Sequence, residues 1–213
     1  MSKRIIKDIE NAETLKNHGI YIYYKEENIR EVWALIVGPE DSAYEGGLLF
    51  FNIKFIDDYP FIPPRVTFLT HDGRTRFHPN LYVEGKVCLS ILGTWAGPCW
   101  TSTMSLSTIL LSIQGLLDND PMKHEPGWDI DSVKGRRLLY KEWVEYKMLE
   151  YNCWFQKQDA GLNDWQIGLK AQIGEEKLME IYKKSEIKLS RLKDERIHKV
   201  YLGLPYAMGT SLV

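Results

Sequence analysis

The chain opens with one amphipathic helical pattern, which is followed by four segments typical of β-strands. Apolar residues recur every three or four positions at Ile5, Ile9, Ala12 and Leu15, and the pattern stops at His18-Gly19. The next segments are rich in Ile, Val, Tyr, Phe and Trp and are separated by turn residues; they cover 20–24, 32–37, 48–56 and 65–70. Because the gaps are short, neighbouring strands are expected to be antiparallel, and the pattern predicts a four-stranded meander.

Helical periodicity returns in the second half of the chain. Ser105 is placed to cap a helix with an apolar stripe formed by Leu106, Ile109, Leu110, Ile113 and Leu117. A longer pattern over 139–155 carries two apolar stripes, which predicts a helix packed on two sides. A loop containing Gly161, Asn163 and Gly168 is then expected to lead to a last, charged helix over about 175–198.

Between these halves, residues 71–103 show no periodicity. A stretch of this length inside a compact domain is uncommon and tends to be functional. It holds two of the three cysteines, Cys88 and Cys99, whereas Cys153 lies on a helical stripe. We interpret Cys99, beside Trp100, as a packing residue and Cys153 as part of the core, which leaves Cys88 as the candidate nucleophile.

The amino-acid composition excludes several classes of protein for this chain. The chain has 213 residues, 44% hydrophobic and 26% charged, which is typical of a globular protein and suggests about one domain plus an extension. Its 27 Lys and Arg against 29 Asp and Glu give no sign of a general nucleic-acid binder. We find no membrane span and no secretory signal, and three cysteines cannot all pair. We therefore expect a cytoplasmic and/or nuclear protein with no nucleic-acid or membrane partner.

The irregular stretch carries a recognisable motif. His78-Pro79-Asn80 is followed by Gly85 and by Cys88, eight residues after the asparagine. This segment resembles the active site of the ubiquitin-conjugating enzymes. Three further segments resemble family motifs in the same order: 44–47 (Tyr-Glu-Gly-Gly), 59–64 (Tyr-Pro-Phe-Ile-Pro-Pro) and 110–117. The insertion at 93–100, together with 125–127 and a helical tail, is similar to the large Z-type and O-type branch of the family.

The resemblance implies an α+β, UBC-like fold with an N-terminal helix, a four-stranded antiparallel meander, an active-site loop and C-terminal helices. It covers roughly residues 1–130, which we expect to form the ubiquitin-conjugating core. Residues 131–213 are expected to form a C-terminal helical extension packed on or beside that core. The family's matching pair also implies a cis peptide bond at Pro63-Pro64.

The resemblance implies a role for each residue of the site. Cys88 would accept ubiquitin, or a ubiquitin-like modifier, from an activating enzyme as a thioester and pass it to a substrate lysine or to a ligase. Asn80 would stabilise the oxyanion or support the loop, and Asp120 would condition the incoming lysine. His78, with Pro79, would be structural. No metal or cofactor is implied.

The resemblance also implies partner surfaces, each with a plainer alternative. The basic first turn would bind the activating enzyme or form a solvated face; its residues are Lys3, Arg4 and Lys7. Ligases would bind Phe61 with Trp100 and Ser102, although this chain has Thr101-Ser102 where many members have Ser-Pro. For Phe61, a packed loop anchor is the alternative.

Three other functions are weighed against thioester transfer. A non-catalytic adaptor of the same fold that binds ubiquitin or a ligase would lack the cysteine, so Cys88 with Asn80 argues against it. A zinc site built from His78, Cys88 and Cys99 would have spacings of ten and eleven, which match no common zinc pattern. A cysteine hydrolase would need a paired base that the sequence does not offer.

Overall fold

The computed structural model describes residues 2–158 and 161–192. Four strands within these residues form one antiparallel sheet in the order β1-β2-β3-β4, which confirms the predicted meander. Their bounds are Ile20–Lys25 (β1), Asn28–Val37 (β2), Leu48–Lys54 (β3) and Arg65–Phe68 (β4).

In the described part of the chain, five α-helices surround the sheet, so the predicted α+β architecture with an N-terminal helix and C-terminal helices is confirmed. They are α1 (Ser2–Glu13), α2 (Leu106–Leu116), α3 (Lys134–Gln156), α4 (Asp164–Ile173) and α5 (Glu175–Leu192). The last helix was predicted to reach residue 198, and residues 193–198 lie outside the described part of the chain. Within residues 2–158 and 161–192, no helix has the length and apolar character needed to cross a bilayer.

One face of the sheet packs against α1 and α2. Alternate residues of a strand point to opposite faces, so Ala34, Ile36 and Phe51 lie on the same side and are fully buried. They share one hydrophobic cluster with Ile9 of α1 and Ile109 of α2. This cluster forms the main core beneath the irregular stretch.

The opposite face of the sheet is covered by the C-terminal helices. Leu35 and Phe50 point to this side and pack with Phe155 of α3, Leu169 of α4 and Ile181 of α5. The part of α3 from residue 140 to residue 148 instead contributes Tyr140, Trp143, Val144 and Met148 to the main core. Helix α3 therefore joins the two clusters, and β3 is buried on both faces.

The segment predicted as a loop around Gly168 is a helix, α4, so that prediction was wrong. Asn163 begins the helix, and its main-chain N–H donates to Oε1 of Gln166 at 2.9 Å. Gly168 lies in the helix against β1, where an added Cβ would stand 2.1 Å from Cδ2 of Tyr23. The glycine allows a close helix–strand approach, a role that a sequence pattern does not distinguish from a loop.

The predicted cis peptide bond at Pro63-Pro64 was also wrong. Within the described residues the cis bond is Tyr59-Pro60. The side chain of Tyr59 is buried, and its ring lies 4.7 Å from that of Phe55 and 6.0 Å from that of Trp100. The motif offers several X–Pro bonds, and the tertiary surroundings select one of them.

Candidate active site

A tight turn brings the two central residues of the motif together. The main-chain N–H of Leu81 donates to the carbonyl of His78 at 2.9 Å, and Leu81 also pairs with Val87. As a result, the N–H of Cys88 donates to the carbonyl of Asn80 at 2.8 Å. The eight-residue step from Asn80 to Cys88 thus forms a short, hairpin-like turn that places Cys88 beside Asn80.

The side chain of Asn80 stabilises this turn. Its Nδ2 donates to the main-chain carbonyl of Cys88 at 2.8 Å, and its own N–H donates to Nδ1 of His78 at 2.9 Å. The residue is 6% exposed. In this structure the amide therefore braces the loop, and its stabilisation of an oxyanion stays a prediction.

His78 is a neutral structural residue. Complete burial holds its pKa well below the usual value, the nearby His124 and Arg76 act in the same direction, and the carbonyl of Leu116 opposes them. Because Nδ1 accepts the hydrogen bond from Asn80, the ring proton resides on Nε2. A neutral, buried imidazole of this kind orients the loop.

The sulfur of Cys88 is covered, since the residue is only 1% exposed. Burial raises the pKa of the Tyr82 hydroxyl, and the neighbouring Cys88 side chain acts in the same direction, whereas Arg76 lowers it. The guanidinium of Arg76 lies 3.9 Å from the centroid of the Tyr82 ring. Sequence reasoning missed Arg76 and Tyr82, although both flank the His-Pro-Asn motif.

Asp120 is tied to the C-terminal helices. Its Oδ2 accepts a 3.1 Å hydrogen bond from Nε of Arg137 on α3, and Arg137 is 5% exposed. Nearby, Oδ2 of Asp118 lies 3.0 Å from Nε2 of His124. The sequence did not suggest either pair. Conditioning of an incoming lysine by Asp120 stays a prediction.

The three residues expected to bind ligases lie on two joined loops. Phe61 is 80% exposed, so it is not a packed loop anchor. Nε1 of Trp100 donates to the carbonyl of Pro60 at 2.7 Å and holds the loops together. The side chain of Ser102 is exposed, and its carbonyl accepts a 2.9 Å hydrogen bond from Nη1 of Arg4.

The structure separates the three basic residues of α1. Lys3 and Lys7 are exposed, whereas Arg4 points toward the protein. Nε of Arg4 lies 3.0 Å from Oδ2 of the buried Asp8, and its Nη2 donates to the carbonyl of Met104. Arg4 therefore links α1 to the loop before α2, and the exposed basic face consists of the two lysines.

The other two cysteines are less buried than expected. Cys99 is exposed and Cys153 is partly buried, so packing was the wrong interpretation for Cys99. Cys99 lies on the surface of the 93–100 insertion, which local hydrophobicity did not reveal. Among the described residues, no three His, Cys, Asp or Glu side chains cluster in a way that could hold a metal ion.

This arrangement is suited to acyl transfer through sulfur. In such a reaction Cys88 would be the nucleophile, and the amide of Asn80 lies next to it without offering a competing base. The neighbouring imidazole of His78 is neutral, and its Nδ1 already accepts a hydrogen bond from the main chain of Asn80. It therefore does not act as the paired base of a cysteine hydrolase.

Comparison with known proteins identifies relatives of this chain. The model of the family described as "Ubiquitin-conjugating enzyme" matches residues 4–168. Ubiquitin-conjugating enzyme E2 Z of Xenopus tropicalis is 40% identical over 159 residues, which is 70% of this chain and 51% of that protein. The human E2 Z is 40% identical over 147 residues, which is 68% of this chain and 42% of that protein. The chain thus spans about half the length of these relatives or less.

A solved structure has the same fold. The E2 domain of a ubiquitin-conjugating enzyme from Toxoplasma gondii is 26% identical, with a TM-score of 0.54 over 69% of this chain and 95% of that one. The family match covers most of the chain and includes the loop that joins Asn80 to Cys88. The chain therefore belongs to the ubiquitin-conjugating enzyme family and is related to its Z-type branch.

Proposed function

We propose that this protein accepts ubiquitin, or a ubiquitin-like modifier, from an activating enzyme as a thioester on Cys88 and passes it to a substrate lysine or to a ligase. The observation that carries the proposal is the pair of hydrogen bonds between Asn80 and Cys88 within a chain of this family. They present a sulfur nucleophile and a neutral amide in one rigid loop. Transfer between two thioesters is nearly isoenergetic, so the activating enzyme supplies the energy.

We assign the surfaces for the activating enzyme and for a ligase from the side chains that are exposed to solvent. Lys3 and Lys7 lie on the solvent side of α1, and they offer two cations to an acidic surface of the activating enzyme. Phe61 presents a largely exposed aromatic ring to a ligase, next to a loop stabilised by Trp100. Arg4 is excluded from the first surface because its guanidinium is engaged within the protein.

The test is a charging reaction with activating enzymes, ATP and a panel of modifiers. We expect an adduct that a thiol reductant removes and that Cys88→Ala abolishes, whereas Cys88→Ser leaves a reductant-resistant oxyester. Cys99→Ala and Cys153→Ala are the matched controls and should charge normally. An adduct that survives Cys88→Ala would contradict the proposal. If none of the modifiers in the panel forms an adduct with the wild-type chain, a non-catalytic adaptor is favoured instead.

A further inference from the structure

The main chain on both sides of Cys88 is held by the hydroxyl of Thr94. Oγ1 of Thr94 accepts a 2.9 Å hydrogen bond from the N–H of Leu89 and donates to the carbonyl of Val87 at 2.7 Å. The carbonyl of Leu89, at 3.1 Å, is the alternative acceptor for the same proton. Because Val87 precedes Cys88 and Leu89 follows it, one side chain bridges the residue that carries the candidate nucleophile.

A tight reversal of the main chain brings Thr94 to this position. The short 3-10 helix Ser90–Leu92 ends at Gly93, whose N–H donates to the carbonyl of Ser90 at 2.9 Å. Gly93 has φ of 69°, which glycine adopts without steric cost. The chain therefore turns back, and the N–H of Thr94 donates to the carbonyl of Leu89 at 3.2 Å. Branching at Cβ restricts χ1 of threonine, so the hydroxyl keeps its direction.

The rest of the 93–100 insertion is also held in place. An added Cβ at Gly97 would lie 2.9 Å from Cβ of Ser90, so the insertion folds closely against the 3-10 helix. At its far end, Nε1 of Trp100 donates to the carbonyl of Pro60 at 2.7 Å. The threonine thus belongs to a loop that is fixed at both ends.

The hydrogen bonds of Thr94 complement those of Asn80. Asn80 holds the peptide groups of Cys88 itself, because its carbonyl accepts from the N–H of Cys88 and its Nδ2 donates to the carbonyl of Cys88, both at 2.8 Å. Thr94 holds the groups of the two flanking residues. The sulfur is attached to the Cα between these groups, so the two side chains together fix the direction in which Cys88 points.

We propose that Thr94 is a positioning residue for thioester transfer and acts by fixing the main chain that carries Cys88. The inference rests on the proposed thioester function. In discharge, an amine nitrogen forms a bond to the thioester carbon, the C–S bond breaks, and its electron pair returns to the sulfur of Cys88. The amine proton passes to solvent.

This reaction depends on where the sulfur is held. The reacting atoms must come within about 3–3.5 Å of each other in the correct orientation, and a misplacement of about 1 Å can cost about 10²-fold in rate. A side chain that fixes the main chain of Cys88 therefore raises the rate of the chemical step. It makes no contact with the incoming amine, so the apparent affinity for the amine is independent of it.

The test compares two substitutions of Thr94 in the full chain. Thr94→Val keeps the branched shape but removes the hydroxyl, whereas Thr94→Ser keeps the hydroxyl. The assay is single-turnover discharge of preformed thioester to free lysine. We expect Thr94→Val to lower the maximal rate about tenfold and to leave the half-saturating lysine concentration unchanged. Thr94→Ser should restore most of the rate.

Thr14→Val is the matched control, because it removes a hydroxyl that donates to the main-chain carbonyl of Asn11 directly after α1. It should discharge at the wild-type rate. A wild-type rate in Thr94→Val would overturn the proposal, and so would equal slowing in Thr94→Ser, since the hydroxyl would then not be responsible. A change in the half-saturating lysine concentration, or a Thr94→Val protein that is unfolded at the assay temperature, would also overturn it.

A second measurement requires no modifier. Cys88 is 1% exposed, so its alkylation by iodoacetamide, followed by peptide mass spectrometry, reports how firmly its loop is held. We expect Cys88 to react about tenfold faster in Thr94→Val than in the wild type, Thr94→Ser or Thr14→Val. Equal rates would overturn the proposal. An absent adduct in the wild-type charging reaction contradicts the proposed function alone, and alkylation then decides whether Thr94 holds Cys88.

Discussion

The Oδ1 atom of Asn152 on α3 accepts a 3.1 Å hydrogen bond from the main-chain N–H of Leu48, the first residue of β3. Its Nδ2 donates to the carbonyl of Gly46 at 2.9 Å and to Oγ of Ser185 on α5 at 3.0 Å. The residue has no exposed surface. One buried amide thus connects two C-terminal helices to the sheet.

Asn152→Ala should be strongly destabilising. It leaves the buried N–H of Leu48 without this acceptor, which typically costs about 1–3 kcal/mol. Ser185→Ala should cost less, because Asn152 retains its two bonds to the main chain. Urea unfolding of both variants measures the difference. Equal losses would mean that α5, rather than the amide, controls this contact.

Gly168→Ala should loosen α4 from the sheet. The new methyl group would meet the ring of Tyr23 at 2.1 Å, and such overpacking costs about 1–3 kcal/mol. Gly135→Ala is the matched control, since it lies in α3 with no atom within 4 Å of the added Cβ. It should be neutral or stabilising by up to about 1 kcal/mol. Thermal unfolding of the two variants decides, and a Gly168→Ala protein as stable as wild type would contradict the close approach.

Asn80→Ala should impair both stability and transfer. The variant leaves the buried carbonyl of Cys88 without its donor, at about 1–3 kcal/mol, and removes an amide donor whose loss typically slows acyl transfer about 10²–10³-fold. We expect a lower melting temperature and slow discharge to lysine in single-turnover assays. Normal discharge from a destabilised variant would mean that Asn80 only supports the loop and does not take part in transfer.

Arg4 and the two lysines of α1 should differ in effect. Arg4→Gln removes charge-assisted hydrogen bonds to the carbonyls of Ser102 and Met104 and should destabilise by about 1–2 kcal/mol. Lys3→Glu with Lys7→Glu should slow charging by the activating enzyme and leave the melting temperature unchanged, since both side chains are exposed. If the double variant charges normally, the lysines form only a solvated face.

Asp72 should make part of the folding stability of the protein sensitive to acid. Burial alone would raise its pKa, but hydrogen bonds from Thr75 and Arg74 and the charge of Lys147 outweigh it and lower the pKa to about 2. A folded-state pKa below the unfolded value of 3.8 gives stability that is present above pH 4 and is lost as the pH falls through 2.

The contribution of Asp72 is about 1 kcal/mol after solvent screening. Asp72→Asn should therefore lower stability at pH 7 and flatten the loss between pH 4 and pH 2, as measured by urea unfolding. Asp131→Asn, at an exposed position, controls for the change in net charge. An acid limb as steep in Asp72→Asn as in the wild type would assign the loss to other carboxyl groups.

The sequence by itself determined the strand order and the candidate nucleophile. Alternation of apolar residues and short connections are local properties, so the meander of β1 to β4 could be predicted without coordinates. The interval between Asn80 and Cys88 is likewise local, because one tight return spans it. The surrounding motifs sufficed to suggest the family.

Only the tertiary structure decided which partners meet across long separations. Arg4 reaches Ser102 across 98 residues, and Asn152 reaches Leu48 across 104, whereas no local periodicity encodes such pairs. The same limit explains why Gly168 was mistaken for a loop residue, since its need for space arises from Tyr23 on another element. It also explains why Arg76 was missed, because its importance comes from the Tyr82 ring that folding places under its guanidinium.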